Sequence, residues 1–317
     1  MKGIQSIKVS NRYAKYEFQL FRNITIVRGK SGTGKTTLYD MIADYTRDKE
    51  KSGVNLSSTA PCIALTDIDW KNQIKNIRDS IVFIDEGSKY ISSVEFAKTV
   101  KESSNYYVIF NREGLHNLPY SVNEIYEIKT SGKYHQLKGV YPLTEKFELK
   151  QKSKNTMNSS SKVLTEDSKS GYQFFKFISD EKGLICKTSD SNSLVFSWLK
   201  EHINEDVLVI CDGAAFGAEI DRVSKLINKV GNIRLILPES FEWIILKSGI
   251  IDNVEEILNN PSDYIESSKY FSWENFFTAL IIERTKGTYI AYTKRKLNKS
   301  YLQKKEKEAI LSVLPEI

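Results

Sequence analysis

Residues 29–36 read GKSGTGKT, with three glycines and a lysine–threonine pair at the spacing G-x-x-x-x-G-K-[ST]. That spacing suits a cradle for phosphate. Gly29, Gly32 and Gly34 let the backbone wrap closely around an anion and turn N–H groups inward, with Lys30, Ser31 and Thr33 carrying the chain between them. A helix opening near Gly34 would add the positive end of its dipole. Lys35 would then reach the β- and γ-phosphates, Thr36 would ligate Mg²⁺, and Thr37 would help hold the α-phosphate. A glycine-rich turn that binds nothing is the alternative.

Two more segments could do chemistry with such a loop. IVFIDE (81–86) is an apolar run ending in two carboxylates, as expected of a buried parallel strand whose tip faces a nucleotide. It resembles a Walker B motif, which implies that Asp85 orients Mg²⁺ through water and Glu86 positions and polarises the attacking water. Two solvated acids at a strand end are the bland alternative. YYVIFNRE (106–113) resembles the sensor strand of several P-loop ATPase families, with Asn111 beside the γ-phosphate. Arg112 either neutralises transition-state charge, in its own subunit or across an interface, or is a solvated loop residue. Tyr13 and Tyr16 either stack on adenine or pack within the N-terminal hairpin.

The resemblance to P-loop NTPases covers about residues 1–140. It implies ATP and Mg²⁺ as cofactors, and the paired DE and the absence of an NKxD-type guanine motif favour ATP over GTP. The opening strands are similar to those of ABC and SMC-type ATPases. Ile81, however, lies only 44 positions after Thr37, too close for their helical subdomain, and no LSGGQ-like signature occurs. The Asn111 sensor is similar to that of AAA+ proteins, but a β-hairpin follows where a helical lid belongs.

The elements that must position these residues are legible as strand-like and helical runs. Strands are expected at 4–10, 16–21, 23–28, 62–65, 80–85 and 106–110, helices at about 34–46, 69–78 and 93–103, and a hairpin at 123–141. This alternation predicts an α/β fold: a mainly parallel P-loop NTPase sheet flanked by helices, plus a second, smaller α/β domain with a helical C-terminal end. The segment KQKSKNTMNSSSKVLTEDSKSG (150–171) is crowded with Ser, Lys, Asn and Thr, and reads as a linker or mobile loop. The expected division is therefore 1–150, a linker at 151–171, and 172–317.

In the second half, strands are expected at 184–187, 207–212 and 233–237, with helices at about 192–203, 218–229, 240–248, 252–259 and 273–284. VLVICDGAAFGAEIDRVSKLINKVGNIRLILPESFEW (207–243) loosely resembles the Toprim fold of primases, topoisomerases and related nucleases, with Asp212, Gly213 and Gly217 in its acidic turn. LICKTSDSNSLVFSWL (184–199), with Asp190, has the outline of that family's first motif. Two departures stand out: Lys187 is near the place of the family's first-strand glutamate, and Ala214 replaces the second aspartate of its D-x-D pair. Asp190, Asp212 and Glu239 or Glu242 follow strands and could form a variant metal cluster.

Composition limits the remaining readings. Among 317 residues, 40% are hydrophobic and 27% charged, and no apolar run approaches a membrane span, so a cytoplasmic protein without membrane contact is expected. Cys62, Cys186 and Cys211 form no disulfide or zinc pattern, and His116, His135 and His202 form no ligand pattern. The net charge of +6 lies in the first half, where 23 Lys/Arg face 17 Asp/Glu, against 23 and 23 in residues 151–317. Residues 284–305 hold eight Lys/Arg and no acid, interleaved with Tyr289, Tyr292 and Tyr301, which suits either nucleic acid or plain solvation.

Three functions stay open on the sequence: an ATPase whose cycle controls assembly or an effector domain, an ATP-regulated nuclease, and a non-catalytic nucleotide-bound scaffold. A homo-oligomer or larger complex is the expected setting. Pairing of a P-loop ATPase with a Toprim-type domain resembles bacterial systems that defend against foreign DNA.

Overall fold

Alternating apolar residues in QSIKVS and KYEFQL make two half-buried strands, β1 (Gln5–Ser10) and β2 (Lys15–Leu20). The few residues between them cannot make a crossover, so the pair is antiparallel, with Val9 opposite Tyr16. ITIVR is buried throughout as β3 (Ile24–Arg28), and α1 (Lys35–Asp48) follows the glycine loop. An edge strand β4 (Asn55–Ser58) pairs antiparallel with β1. Its sequence, NLSS, carries no apolar alternation and by itself predicts no strand.

The chain continues through β5 (Cys62–Leu65), α2 (Trp70–Asn76), β6 (Ile81–Ile84), α3 (Val94–Lys101) and β7 (Tyr106–Phe110). A hairpin then joins β8 (Ile125–Ser131) to β9 (Tyr134–Gly139), turning at Gly132. These nine strands form one sheet in the order β4-β1-β2-β9-β8-β3-β7-β6-β5. From β8 to β5 all neighbours are parallel, whereas β1/β2, β1/β4 and β8/β9 are antiparallel. With β2/β9 also parallel, five of the eight pairs are parallel and three antiparallel, so the sheet is mixed with a parallel majority. Short hairpin connections impose the antiparallel β1/β2 and β8/β9 pairs, whereas β4 reaches β1 only after β2, β3 and α1.

One feature of this order governs the site. Strand β7 lies between β3 and β6, so the C-terminal tips of all three stand side by side. Those tips lead into the glycine loop, into Asn111–Arg112 and into Asp85–Glu86.

The computed structural model describes residues 1–150 and 162–317, and the chain divides into two compact units. The first comprises Met1–Val140 with Asn260–Phe271, the second Tyr141–Asn259 with Ser272–Ile317. The return of residues 260–271 to the first unit departs from the division expected at 151–171. Hydrogen bonds tie that segment in: Gly3 N to Ser262 O at 2.7 Å, Ser262 Oγ to Phe21 O at 3.0 Å, Asn23 Nδ2 to Phe271 O at 3.2 Å and Ser267 Oγ to Ser104 O at 2.8 Å.

The second unit has four parallel strands, β10 (Lys162–Thr165), β11 (Ile185–Thr188), β12 (Val207–Ile210) and β13 (Ile233–Ile236), ordered β11-β10-β12-β13. Helices α4 (Ser170–Glu181), α5 (Asn192–Glu201) and α6 (Ile220–Val230) connect them. Four more follow: α7 (Phe241–Lys247), α8 (Glu255–Asn259), α9 (Trp273–Thr285) and α10 (Lys304–Ser312).

Strand β10 corrects the linker expectation. Residues 151–161 lie outside the described residues, but 162–165 form an inner strand with Val163, Leu164 and Thr165 buried. Three residues, VLT, were too short a signal against their Ser- and Lys-rich surroundings. Pairing on both sides supplies what propensity did not.

Candidate functional site

The loop after β3 takes a conformation that only glycine adopts readily. Gly29, Gly32 and Gly34 have φ of +144°, +82° and +94°. Space adds to the requirement at Gly34, where a Cβ would stand 2.7 Å from Tyr16 Oη. Leu38 N donates to Gly34 O at 3.0 Å, so the N–H groups of Lys35, Thr36 and Thr37 are the leading amides of a 14-residue helix and have no acceptor within it.

Lys35 is buried at the centre of this loop. Its Nζ donates to Gly29 O at 2.6 Å and Lys30 O at 3.1 Å, and lies 3.4 Å from Glu86 Oε2. Arg112 Nε pairs with the other oxygen, Oε1, of the same carboxylate. The loop residues 31–37, Glu86 and Arg112 line one cavity of about 460 Å³, to which Ala14, Tyr16, Thr130 and His135 also contribute. Arg112 therefore meets Glu86 of its own chain.

Asp85 and Asn111 do not line this cavity. Asp85, half-buried at the tip of β6, has its carboxyl pushed up, first by burial and then by Asp40, Glu86 and Asp67, against one stabilising backbone hydrogen bond. Asn111 turns its amide to Glu113 O at 2.8 Å, while its backbone N–H reaches Val27 O at 3.3 Å. Thr36 and Thr37 are exposed at the start of α1. Tyr16 packs under the imidazole of His135, with ring centroids 4.3 Å apart and planes 13° apart, and is only 1% exposed. Tyr13 is 72% exposed, with the Arg12 guanidinium over its ring.

The residues present fit a magnesium–triphosphate group. The helix's leading amides and the Lys35 ammonium suit phosphate oxygens, and a divalent cation would relieve the crowding of Asp85 by its neighbouring acids.

A second group of acids gathers in the other unit. Strands β10 and β12 are adjacent, with Thr165 opposite Ile210, so Glu166 and Asp212 emerge side by side. Glu166 Oε2 accepts from Asp212 N at 2.9 Å. Both face a tight pocket of about 30 Å³, room for a particle about the size of a water, together with Asp167, Glu242 and Lys294. Glu242 is buried on α7 and accepts from Tyr292 Oη at 2.8 Å, and Lys294 Nζ lies 3.5 Å from it and pairs with Glu274.

Burial raises Glu166 and Asp212 well above ordinary carboxylates. Glu274 and Asp167 add to the effect on Glu166, and Glu166, Glu274 and Glu242 to that on Asp212. Burial alone would lower the Lys294 ammonium, but Glu242, Glu274 and Asp212 hold it up.

Sequence reasoning missed Glu166, because β10 went unrecognised. The signal was VLTED, an apolar run ending in acids like IVFIDE. Asp190 is not in the pocket; it is exposed in a tight turn after β11, with φ of +68°. Glu239 gives its carbonyl to Ala214 N at 3.2 Å. Among the described residues no group of three or more His, Cys, Asp or Glu is arranged to hold a metal, so this pair does not make the expected multi-carboxylate cluster. Gly213 is fixed by close approach, since a Cβ there would meet Leu237 O at 2.7 Å.

In the basic segment 284–305 seven of the eight Lys/Arg, all but Lys294, are exposed, but two of the three tyrosines are not. Tyr292 and Tyr301 are buried, Tyr301 Oη donating to Ile290 O at 2.6 Å, so neither ring can stack on a base. Tyr289 is exposed, with its hydroxyl bound to Glu306 Oε1 at 2.8 Å. Among the described residues no helix is long and apolar enough to cross a membrane. No protein-family model and no curated protein matches the chain.

Proposed function

We propose that the first unit is a P-loop ATPase that binds Mg–ATP and hydrolyses it, its nucleotide cycle governing assembly or the second unit. One observation carries the reading: a glycine loop with the leading amides of a helix, a buried lysine, a glutamate and an arginine line one cavity at adjacent strand tips. In this reading the amides and Lys35 bind the phosphates, Thr36 and Asp85 hold Mg²⁺, Glu86 orients the water and Arg112 faces the developing charge. Magnesium would supply charge neutralisation at the phosphates. The chain's own contribution is placement, with Glu86 held near the γ-phosphate by two cations that the nucleotide would engage.

Phosphate release tests it. Wild-type protein with Mg–ATP is expected to turn over, and Lys35→Ala and Glu86→Gln are expected not to. Turnover unchanged in both variants would refute the assignment, and binding without turnover in the wild type would favour a nucleotide-bound scaffold.

A second reading attaches to the second unit, where Glu166 ends an inner strand beside Asp212. A glutamate at that place is what the Toprim resemblance requires, which favours a Toprim-like unit acting in nucleic-acid transactions such as defence against foreign DNA. Among the described residues the acids of this pocket are not arranged to hold a metal, so they supply no metal-dependent step by themselves. Plasmid nicking with Mg²⁺ or Mn²⁺ that disappears in Asp212→Asn would support a nuclease, and nicking that survives it would exclude this pocket.

A further inference from the structure

We infer that His135 is the platform on which the nucleoside end of the bound nucleotide stacks. This rests on the triphosphate reading above and extends it to the base.

The argument begins with sheet order. The glycine loop follows β3, which has β7 and β6 on one side and β8, β9 and β2 on the other. Glu86 and Arg112 come from the β6 and β7 side, and they mark where the terminal phosphate must lie, because the attacking water is placed there. The rest of the cavity lining outside the loop is Ala14, Tyr16, Thr130 and His135, from the opposite side. A triphosphate spanning the loop therefore directs its nucleoside toward that wall.

Within the wall, one aromatic ring is both accessible and fixed. Tyr16 is covered, and its hydroxyl donates to Gly34 O at 2.9 Å, tying β2 to the phosphate loop. His135 lies flat on Tyr16 and has Nδ1 2.9 Å from Thr130 Oγ1, so its orientation is set from two directions while the residue stays partly exposed. Partial burial lowers the imidazole's pKa, which favours the neutral ring. A preorganised aromatic plane of this kind suits any base, through the face that Tyr16 does not cover. Tyr13 is the other candidate, but it does not line the cavity.

Calorimetry on the full chain with Mg–ATP and with inorganic tripolyphosphate separates the base from the phosphates. His135→Ala is expected to weaken ATP about tenfold and to leave tripolyphosphate within about twofold of wild type, as loss of one stacking partner implies. His135→Phe is expected to keep ATP affinity near wild type, and Tyr13→Ala to change neither ligand.

Equal weakening of both ligands by His135→Ala would overturn the inference, making the ring a support for the loop through Tyr16. So would unchanged ATP affinity, a His135→Phe variant as weak as His135→Ala, or a selective ATP loss in Tyr13→Ala alone. Wild-type protein that binds tripolyphosphate but gains nothing from the nucleoside also contradicts it. Wild-type protein that binds neither ligand overturns the triphosphate reading itself, and this inference with it.

Discussion

Glu86 holds Oε2 3.4 Å from the Lys35 ammonium. Its other oxygen pairs with Arg112, so one carboxylate stands between two cations from different elements. Under the proposed function a triphosphate would offer both cations new partners and leave Glu86 to a water, so binding and activation would be linked through three side chains.

Removing the charge of Glu86 should separate the two. Glu86→Gln keeps the shape and loses the ability to polarise water, so ATP should still bind while turnover falls by about 10²–10⁴-fold, the usual share of a positioned acid or base. Parallel binding and phosphate-release measurements check this. A comparable fall in binding would mean the residue serves the ground state.

Arg112 is half exposed and bonded to Glu86, not to the loop. Arg112→Ala should therefore lower kcat more than it raises KM, as expected of a group that acts on developing charge. Steady-state kinetics over a range of ATP concentrations decide it. A change confined to KM would place the side chain in ground-state binding.

The segment 260–271 predicts a stability result. Ile265 is buried, and Ile265→Ala should cost about 3 kcal/mol, the usual scale for truncating a buried aliphatic residue. Residues 1–140 made alone should be less stable than the first unit in the full chain, since the hydrogen bonds to Ser262, Ser267 and Phe271 are lost. Urea denaturation of the variant and of the truncated chain measures both effects.

Glu166 makes the second unit sensitive to pH. Its folded pKa, pushed up to about 8 by burial and nearby acids, lies above its ordinary value of 4.5, so the folded state holds the proton more tightly. The resulting stabilisation is complete below the ordinary value and is lost as pH rises through the folded one. Glu166→Gln keeps an acceptor for Asp212 N without the charge. Its melting temperature should exceed that of wild type at pH about 9 and approach it at pH about 5. Thermal melts across that range check the sign, and a difference that does not vary with pH contradicts it.

Where local signal and tertiary need coincide, the sequence was readable. ITIVR, IVFI and YYVIF are apolar without alternation, the mark of strands buried on both faces, and they became β3, β6 and β7. The glycine loop announced itself through its spacing. NLSS carries no apolar alternation and KVLT sits in Ser- and Lys-rich surroundings, so neither signals a strand by itself and each gains its strand state from pairing. Missing β10 hid Glu166 and turned attention to Asp190, which belongs to a turn. His135 was invisible for another reason: a lone histidine carries no pattern, and only the order of strands brings it to the loop.

Titration of the full-length protein with Mg–ATP, with Lys35→Ala measured beside it, tests the central claim most directly. The expected result is saturable one-site binding to the wild type, weakened at least about tenfold when the ammonium is removed. Absence of heat or saturation in the wild type, or equal affinity in the variant, would contradict a triphosphate held by this loop.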